Sequence, residues 1–123
     1  MLAPTAELNV EPIKRKKAAK TSPTQRSLKE LRKRGYLCAV VEKWNPHVKI
    51  RQDMFGFVDI VAIKDDDIIG VQSTGGDGGN VAARVTKITE HDNYPIVIKA
   101  MRIIVHGWRR NAQNKWILRE IEL

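Results

Sequence analysis

The chain has one cysteine, Cys38, in 123 residues. No internal disulfide can form, which fits a reducing, cytoplasmic setting. Cys38 lies in an apolar strand pattern and is expected to be core. One cysteine and three scattered histidines, His47, His91 and His106, cannot build a structural zinc site. No apolar run approaches the roughly 20 residues that span a bilayer. The basic N-terminal segment has no hydrophobic stretch behind it, so no signal peptide is expected. The loop Gly75-Gly76-Asp77-Gly78-Gly79 lacks the Gly-Lys-Ser/Thr ending of a nucleotide-binding P-loop. Asp65-Asp66-Asp67 lacks the remaining spacing of a calcium loop, and there is no internal repeat.

Acid is also scarce. The 22 Lys and Arg outnumber 14 Asp and Glu, giving a net charge of +8. From Lys14 to Arg34 there are ten basic residues against one acid, Glu30. Such a run points to a polyanionic partner, nucleic acid foremost, or else is a solvated basic face. The length suits one domain with a real core. Residues 1–21 hold few large apolar side chains and read as a basic flexible arm carrying Lys14, Arg15, Lys16 and Lys17. Residues 22–123 read as the folded domain.

Ser22-Pro23 reads as a helix start, with Gln25 three residues after the cap and Leu28 and Leu31 turned inward. The helix stops at Gly35. Tyr36–Trp44 reads as a first strand, Asn45–Asp53 as a polar connector, and Phe55–Ile63 and Asp67–Thr74 as a strand pair. Asn80 caps a helix over Val81–Glu90, a weak polar stretch passes through Tyr94-Pro95, and Arg102–Trp108 and Lys115–Leu123 close the chain as strands. The order is α-β-β-β-α-β-β, an α/β fold with a mixed central sheet flanked by helices.

Asp59 is the conspicuous residue, a carboxylate within the apolar run Phe55–Ile63. A buried carboxylate must be paired, hydrogen-bonded or bound to metal. If Asp65-Asp66 is a tight turn, residues whose numbers sum to 131 face each other, and Asp59 faces Gln72. Side chains so opposed lie roughly 4.5–5.5 Å apart at Cβ. Thr74 follows on the same face.

This order, with Asp59 on one strand and Gln72-Ser73-Thr74 on the next, resembles the PD-(D/E)XK nuclease superfamily, in particular the Holliday junction resolvase branch and its small phage-type relatives. The likeness covers about residues 22–123. It is carried by Gln25-Arg26-Ser27-Leu28, Val41-Glu42-Lys43-Trp44-Asn45-Pro46, Asp53–Asp59, Gly70–Thr74, Asn80–Arg84 and Val105–Trp108. The resemblance implies a Mg²⁺- or Mn²⁺-dependent endonuclease, in which a carboxylate-held metal activates water and neutralises charge on the phosphate. By position, Asp59 matches the family's metal-binding Asp, Gln72 stands where Glu is usual and Thr74 where Lys is usual. A Gln carbonyl and the Ser73 backbone carbonyl can still coordinate a hard cation, and Glu42 is the best second carboxylate. Thr74 cannot supply the lysine's charge. Lys87 or Arg84 would take that part, since Asn80, Arg84, Lys87 and His91 share a helical face.

Gln25, Arg26, Asn80, Arg84 and the arm are then the DNA contacts, and a homodimer acting on DNA, branched DNA included, follows by analogy with resolvases. Asp53 either assists the site or is a solvated loop acid. Plainer readings stand beside these: Asp59 satisfied by backbone donors, Gln72 a core amide, Glu42 an exposed strand-end acid, the helical face merely solvated. Two further functions compete with the nuclease: a nuclease-fold DNA-binding module without catalysis, and a basic structural or assembly protein binding RNA or a protein partner.

Overall fold

The structure, a computed structural model, describes residues 21–75 and 80–123. Lys14, Arg15, Lys16 and Lys17 of the arm, and residues 76–79 of the glycine-rich loop, lie outside the described residues. The elements are α1 (Pro23–Lys33), β1 (Leu37–Val40), β2 (Lys43–Asn45), β3 (Ile50–Gln52), β4 (Ile60–Lys64), β5 (Asp67–Thr74), α2 (Asn80–Thr89), α3 (Tyr94–Ala100), β6 (Arg102–Arg110) and β7 (Trp116–Glu122).

The architecture is α/β, with a mixed five-stranded sheet ordered β1-β4-β5-β6-β7 and helices packed against it. Only β5 and β6 run parallel; parallel neighbours need a crossover, which α2 and α3 supply. Alternation along the strands divides the core in two. Leu28 and Leu31 of α1 pack on Ile60, Ala62, Ile69, Val71 and Ile104. Val81, Ile88 and Val97 of α2 and α3 pack with Phe57, Val58, Ile103 and Val105.

Helix α1 begins where its capping residues dictate. Ser22 Oγ accepts from the Gln25 N–H at 3.1 Å, with Pro23 in the first turn. The chain reverses at Gly35, whose φ of +97° suits glycine. The β4–β5 hairpin has the expected register: Lys64 pairs with Asp67 and Ile60 with Val71 around Asp65-Asp66.

Four expectations are corrected, and the order becomes α-β-β-β-β-β-α-α-β-β. The single strand Tyr36–Trp44 is two strands in different sheets, because the chain leaves the main sheet at Val41-Glu42 and β2 pairs with β3 instead. The connector Asn45–Asp53 thus contains a strand, with Asn45 Oδ1 accepting from the His47 N–H at 2.9 Å to close the turn. The apolar run Phe55–Ile63 is strand only from Ile60. Ahead of it, Phe55 and Gly56 both take positive φ, and Met54 and Val58 bridge across the turn they make. Tyr94–Ala100 is helical, started by Pro95 in its first turn.

Candidate metal site

Two chain reversals bring the acids together. Asp59 directly precedes β4; its N–H donates to the Val71 carbonyl at 2.9 Å, and its own carbonyl accepts from Val41 N–H at 2.8 Å. These bonds hold it between β1 and β5, facing Gln72. The Phe55-Gly56 turn folds the preceding segment back, and the Met54–Val58 bridge sets the register there. One step further out in that register, Asp53 is brought opposite Asp59. Glu42 sits in the break between β1 and β2. Glu42, Asp53 and Asp59 each place a carboxylate oxygen within 4.8 Å of the others, so the cluster can hold a metal ion.

Asp59 and Gln72 are buried, at 5% and 2% exposure. Gln72 Nε2 donates to Asp59 Oδ1 and to Asp53 Oδ2, each at 3.1 Å. The Ser73 backbone N–H donates to Asp59 Oδ2 at 2.9 Å. Among the described residues, no Lys or Arg pairs with Asp53 or Asp59, and Arg51 Nε stands 3.9 Å from Glu42 Oε2. Burial therefore pushes the Asp59 carboxyl up to about 7, and Asp53 beside it adds to the rise, against the pull of the Ser73 and Gln72 donors. Gln72 Oε1 is buried without a hydrogen-bond partner among the described residues. Adjacent acids lacking a counter-charge, with an unused amide oxygen beside them, suit a hard divalent cation, which prefers oxygen ligands.

Ser73 is also held from the other side of the sheet. Its Oγ lies 2.7 Å from Ser27 Oγ on α1, which lies 2.8 Å from His106 Nδ1 and accepts from Trp108 Nε1 at 2.9 Å. His106 Nε2 is 2.9 Å from Glu120 Oε2, and Arg34 donates to both Glu120 oxygens. Burial holds the His106 imidazole below its ordinary value, outweighing the upward pull of Glu120, so the ring is neutral at pH 7. An ionised Glu120 only accepts, which puts the ring proton on Nε2 and leaves Nδ1 as acceptor. Ser27 therefore gives its hydroxyl proton to His106 and takes hydrogen bonds from Trp108 and Ser73. One residue thus joins the acidic cluster to the core network.

Glu42, Asp53, Asp59, Gln72 and Ser73 line a cleft of about 600 Å³, with Ser22, Thr24 and Gln25 from the start of α1 and Arg84 and Lys87 from α2. Of the residues singled out in the sequence, Asp59, Gln72, Ser73, Glu42, Gln25, Arg84 and Lys87 are therefore brought together. Thr74 is buried and does not line the cleft. Asn80 is the exposed first residue of α2 rather than its preceding cap, and its Nδ2 donates to the Gly75 carbonyl. Arg26 faces away toward Trp116. His91 falls beyond α2 and packs edge-on against Phe57, with ring centroids 5.3 Å apart. The cleft also takes Arg51, and Asp53 belongs to the cluster rather than standing solvated. Applying register arithmetic to the Gly56 turn would have found Asp53 from sequence. Nothing local marked Arg51 or the Ser27–His106–Glu120 network, whose members are 79 and 14 residues apart.

No family model, no curated protein and no solved structure matches the chain. Among the described residues, no helix is long and apolar enough to cross a membrane.

Proposed function

We propose that this chain is a metal-dependent DNA endonuclease that hydrolyses phosphodiesters with a Holliday-junction-resolvase-like preference for branched DNA. The observation that carries the reading is the convergence of Glu42, Asp53 and Asp59 within 4.8 Å in a cleft that also holds Arg84 and Lys87. Carboxylates suit a cation, and two basic side chains in the same cleft suit a phosphate.

Glu42, Asp53 and Asp59 would hold Mg²⁺ or Mn²⁺, with Gln72 Oε1 and the Ser73 carbonyl as further oxygen donors. When bound, the ion supplies a more acidic water and neutralises charge on the phosphate. Arg84 and Lys87 position the phosphodiester and offset the charge that grows on its oxygens in the transition state. Lys87 thereby covers the part that Thr74, buried outside the cleft, cannot play. Ser73 N–H keeps Asp59 oriented. Exposed Leu37 and Val40 on the edge strand β1, with Trp44, Val48 and Ile50 on the β2–β3 hairpin, offer an apolar surface for the homodimer that symmetric cutting requires.

One observation favours a second reading, a DNA-binding module of the same fold without catalysis. Gln72 places an amide rather than a carboxylate between Asp53 and Asp59. Nicking of supercoiled plasmid and cleavage of a four-way junction in Mg²⁺ and Mn²⁺ separate the two. Metal-dependent cuts support the nuclease; junction binding with no cleavage in either metal removes it.

A further inference from the structure

Away from the cleft, two guanidiniums converge on one indole. Arg26 Cζ lies 3.4 Å and Arg110 Cζ 4.6 Å from the Trp116 ring centroid. Each contact is favourable as a cation–π interaction, yet the two positive charges repel. Burial, and next the Arg110 charge, hold Arg26 below the usual guanidinium range.

The protein treats its other structural arginines differently. Arg34 bonds to both Glu30 and Glu120, and Arg102 to both Asp67 and Glu122. Among the described residues, neither Arg26 nor Arg110 has a carboxylate partner. Arg26 Nη1 donates to the Thr21 carbonyl and Arg110 Nη1 to Asn114 Oδ1, each at 2.8 Å. Arg26 Nε is buried with no acceptor among the described residues. Two adjacent guanidiniums with donors to spare are a receptor for one oxyanion.

A groove of about 280 Å³ runs beside Arg26, lined in part by Lys29, Lys33, Trp108 and Trp116. Its one acid, Glu30, is already bonded to Arg34. Gln25 lines this groove and the acidic cleft alike, so the two share the first turn of α1. A phosphodiester polymer that leaves the cleft past Gln25 enters the groove lined by Trp116.

We propose that Arg26, Arg110 and Trp116 form a second nucleic-acid site that clamps one backbone phosphate of the DNA strand leaving the cleft across the first turn of α1. This site deepens the nuclease reading and rests on it for the identity of the polymer.

The test is anisotropy of a fluorescein-labelled four-way DNA junction, titrated in EDTA with the full-length chain from 50 to 200 mM salt. R26Q and R110Q should each weaken binding about 3- to 10-fold at the middle of that range and lower the log–log salt slope by about one. The double variant should lower the slope by about one as well, because both side chains hold the same phosphate. Melting curves identify any variant that has lost its fold; R110Q removes the group farther from the ring and serves if R26Q does not fold. Wild-type binding with R110Q unchanged in affinity and slope would overturn this site alone. No wild-type binding at 50 mM salt would overturn both this site and the nuclease reading.

Discussion

Gln72 Nε2 donates to Asp59 Oδ1 across the β4–β5 hairpin at 3.1 Å. The same nitrogen reaches Asp53 Oδ2, so one neutral amide separates two carboxylates that have no cationic partner among the described residues. Without a cation this arrangement needs a donor at position 72, whereas the proposed metal site would use an oxygen ligand there.

Gln72→Glu separates these demands. Replacing the donor by an acceptor sets three carboxyl groups against each other. The metal-free variant should lose about 1–3 kcal/mol, and Mn²⁺ should raise its melting temperature more than it raises the wild type's. Thermal melts with and without Mn²⁺ read both effects. A variant as stable as wild type without metal would show that the amide does not serve as the separating donor.

Asp59 should make metal-free stability fall as pH rises. In the folded protein it keeps its proton to about 7, against 3.8 ordinarily. Between these values the folded state binds the extra proton. Its contribution is therefore complete below 3.8 and lost as pH passes through 7. His106 acts oppositely: its lowered value makes stability fall as pH drops below its ordinary 6.5. Urea melts of wild type minus Asp59→Asn isolate the Asp59 term, and the difference should shrink from pH 5 to pH 8. Mn²⁺ affinity should rise over pH 6 to 7, by up to roughly tenfold per unit, as the ion displaces that proton. Isothermal titration at pH 6, 7 and 8 checks it.

Ser27→Ala leaves two buried groups, Trp108 Nε1 and His106 Nδ1, and the half-buried Ser73 hydroxyl short of a partner. A loss of about 1–3 kcal/mol is expected. Because Ser73 also holds Asp59, the variant should show weaker Mn²⁺ binding at temperatures where it is fully folded. Unchanged Mn²⁺ affinity would confine the network to a stabilising part.

Gly107 controls how closely α2 approaches the sheet. A Cβ there would collide with the Val81 side chain, so Gly107→Ala must push α2 outward. The expected cost is about 1–3 kcal/mol. Arg84 and Lys87 should move with the helix, weakening DNA binding while Mn²⁺ affinity is kept. Anisotropy and calorimetry on the same sample measure the two.

Much of the fold was legible because local physics decided it. The Ser22-Pro23 start, the Gly35 stop and the Asp65-Asp66 turn each rest on neighbours in sequence, and the turn alone predicts that Asp59 faces Gln72. The break at Val41-Glu42 was not legible, since Glu42 and Lys43 before Trp44 read as the polar end of one strand while the partner that pulls β2 away lies beyond a polar turn. Phe55–Val58 misled for a related reason: Phe57 and Val58 enter the core from a turn, not a strand, and Phe55 stays exposed. At the site, Asp59 and Gln72 could be read because the Asp65-Asp66 turn sets their register, and Glu42 as the nearest further carboxylate although its strand was misread. Ser27, His106 and Glu120 could not, because a buried serine or histidine gains its meaning only from partners brought together by the sheet.

The central claim is that Glu42, Asp53 and Asp59 hold a divalent cation. Anomalous diffraction from crystals soaked in Mn²⁺ tests it most directly, with Asp59→Asn crystals soaked in parallel. The account predicts a peak within coordination distance of all three carboxylates in the wild type and its loss in the variant. A peak elsewhere, or none at saturating Mn²⁺, would contradict it.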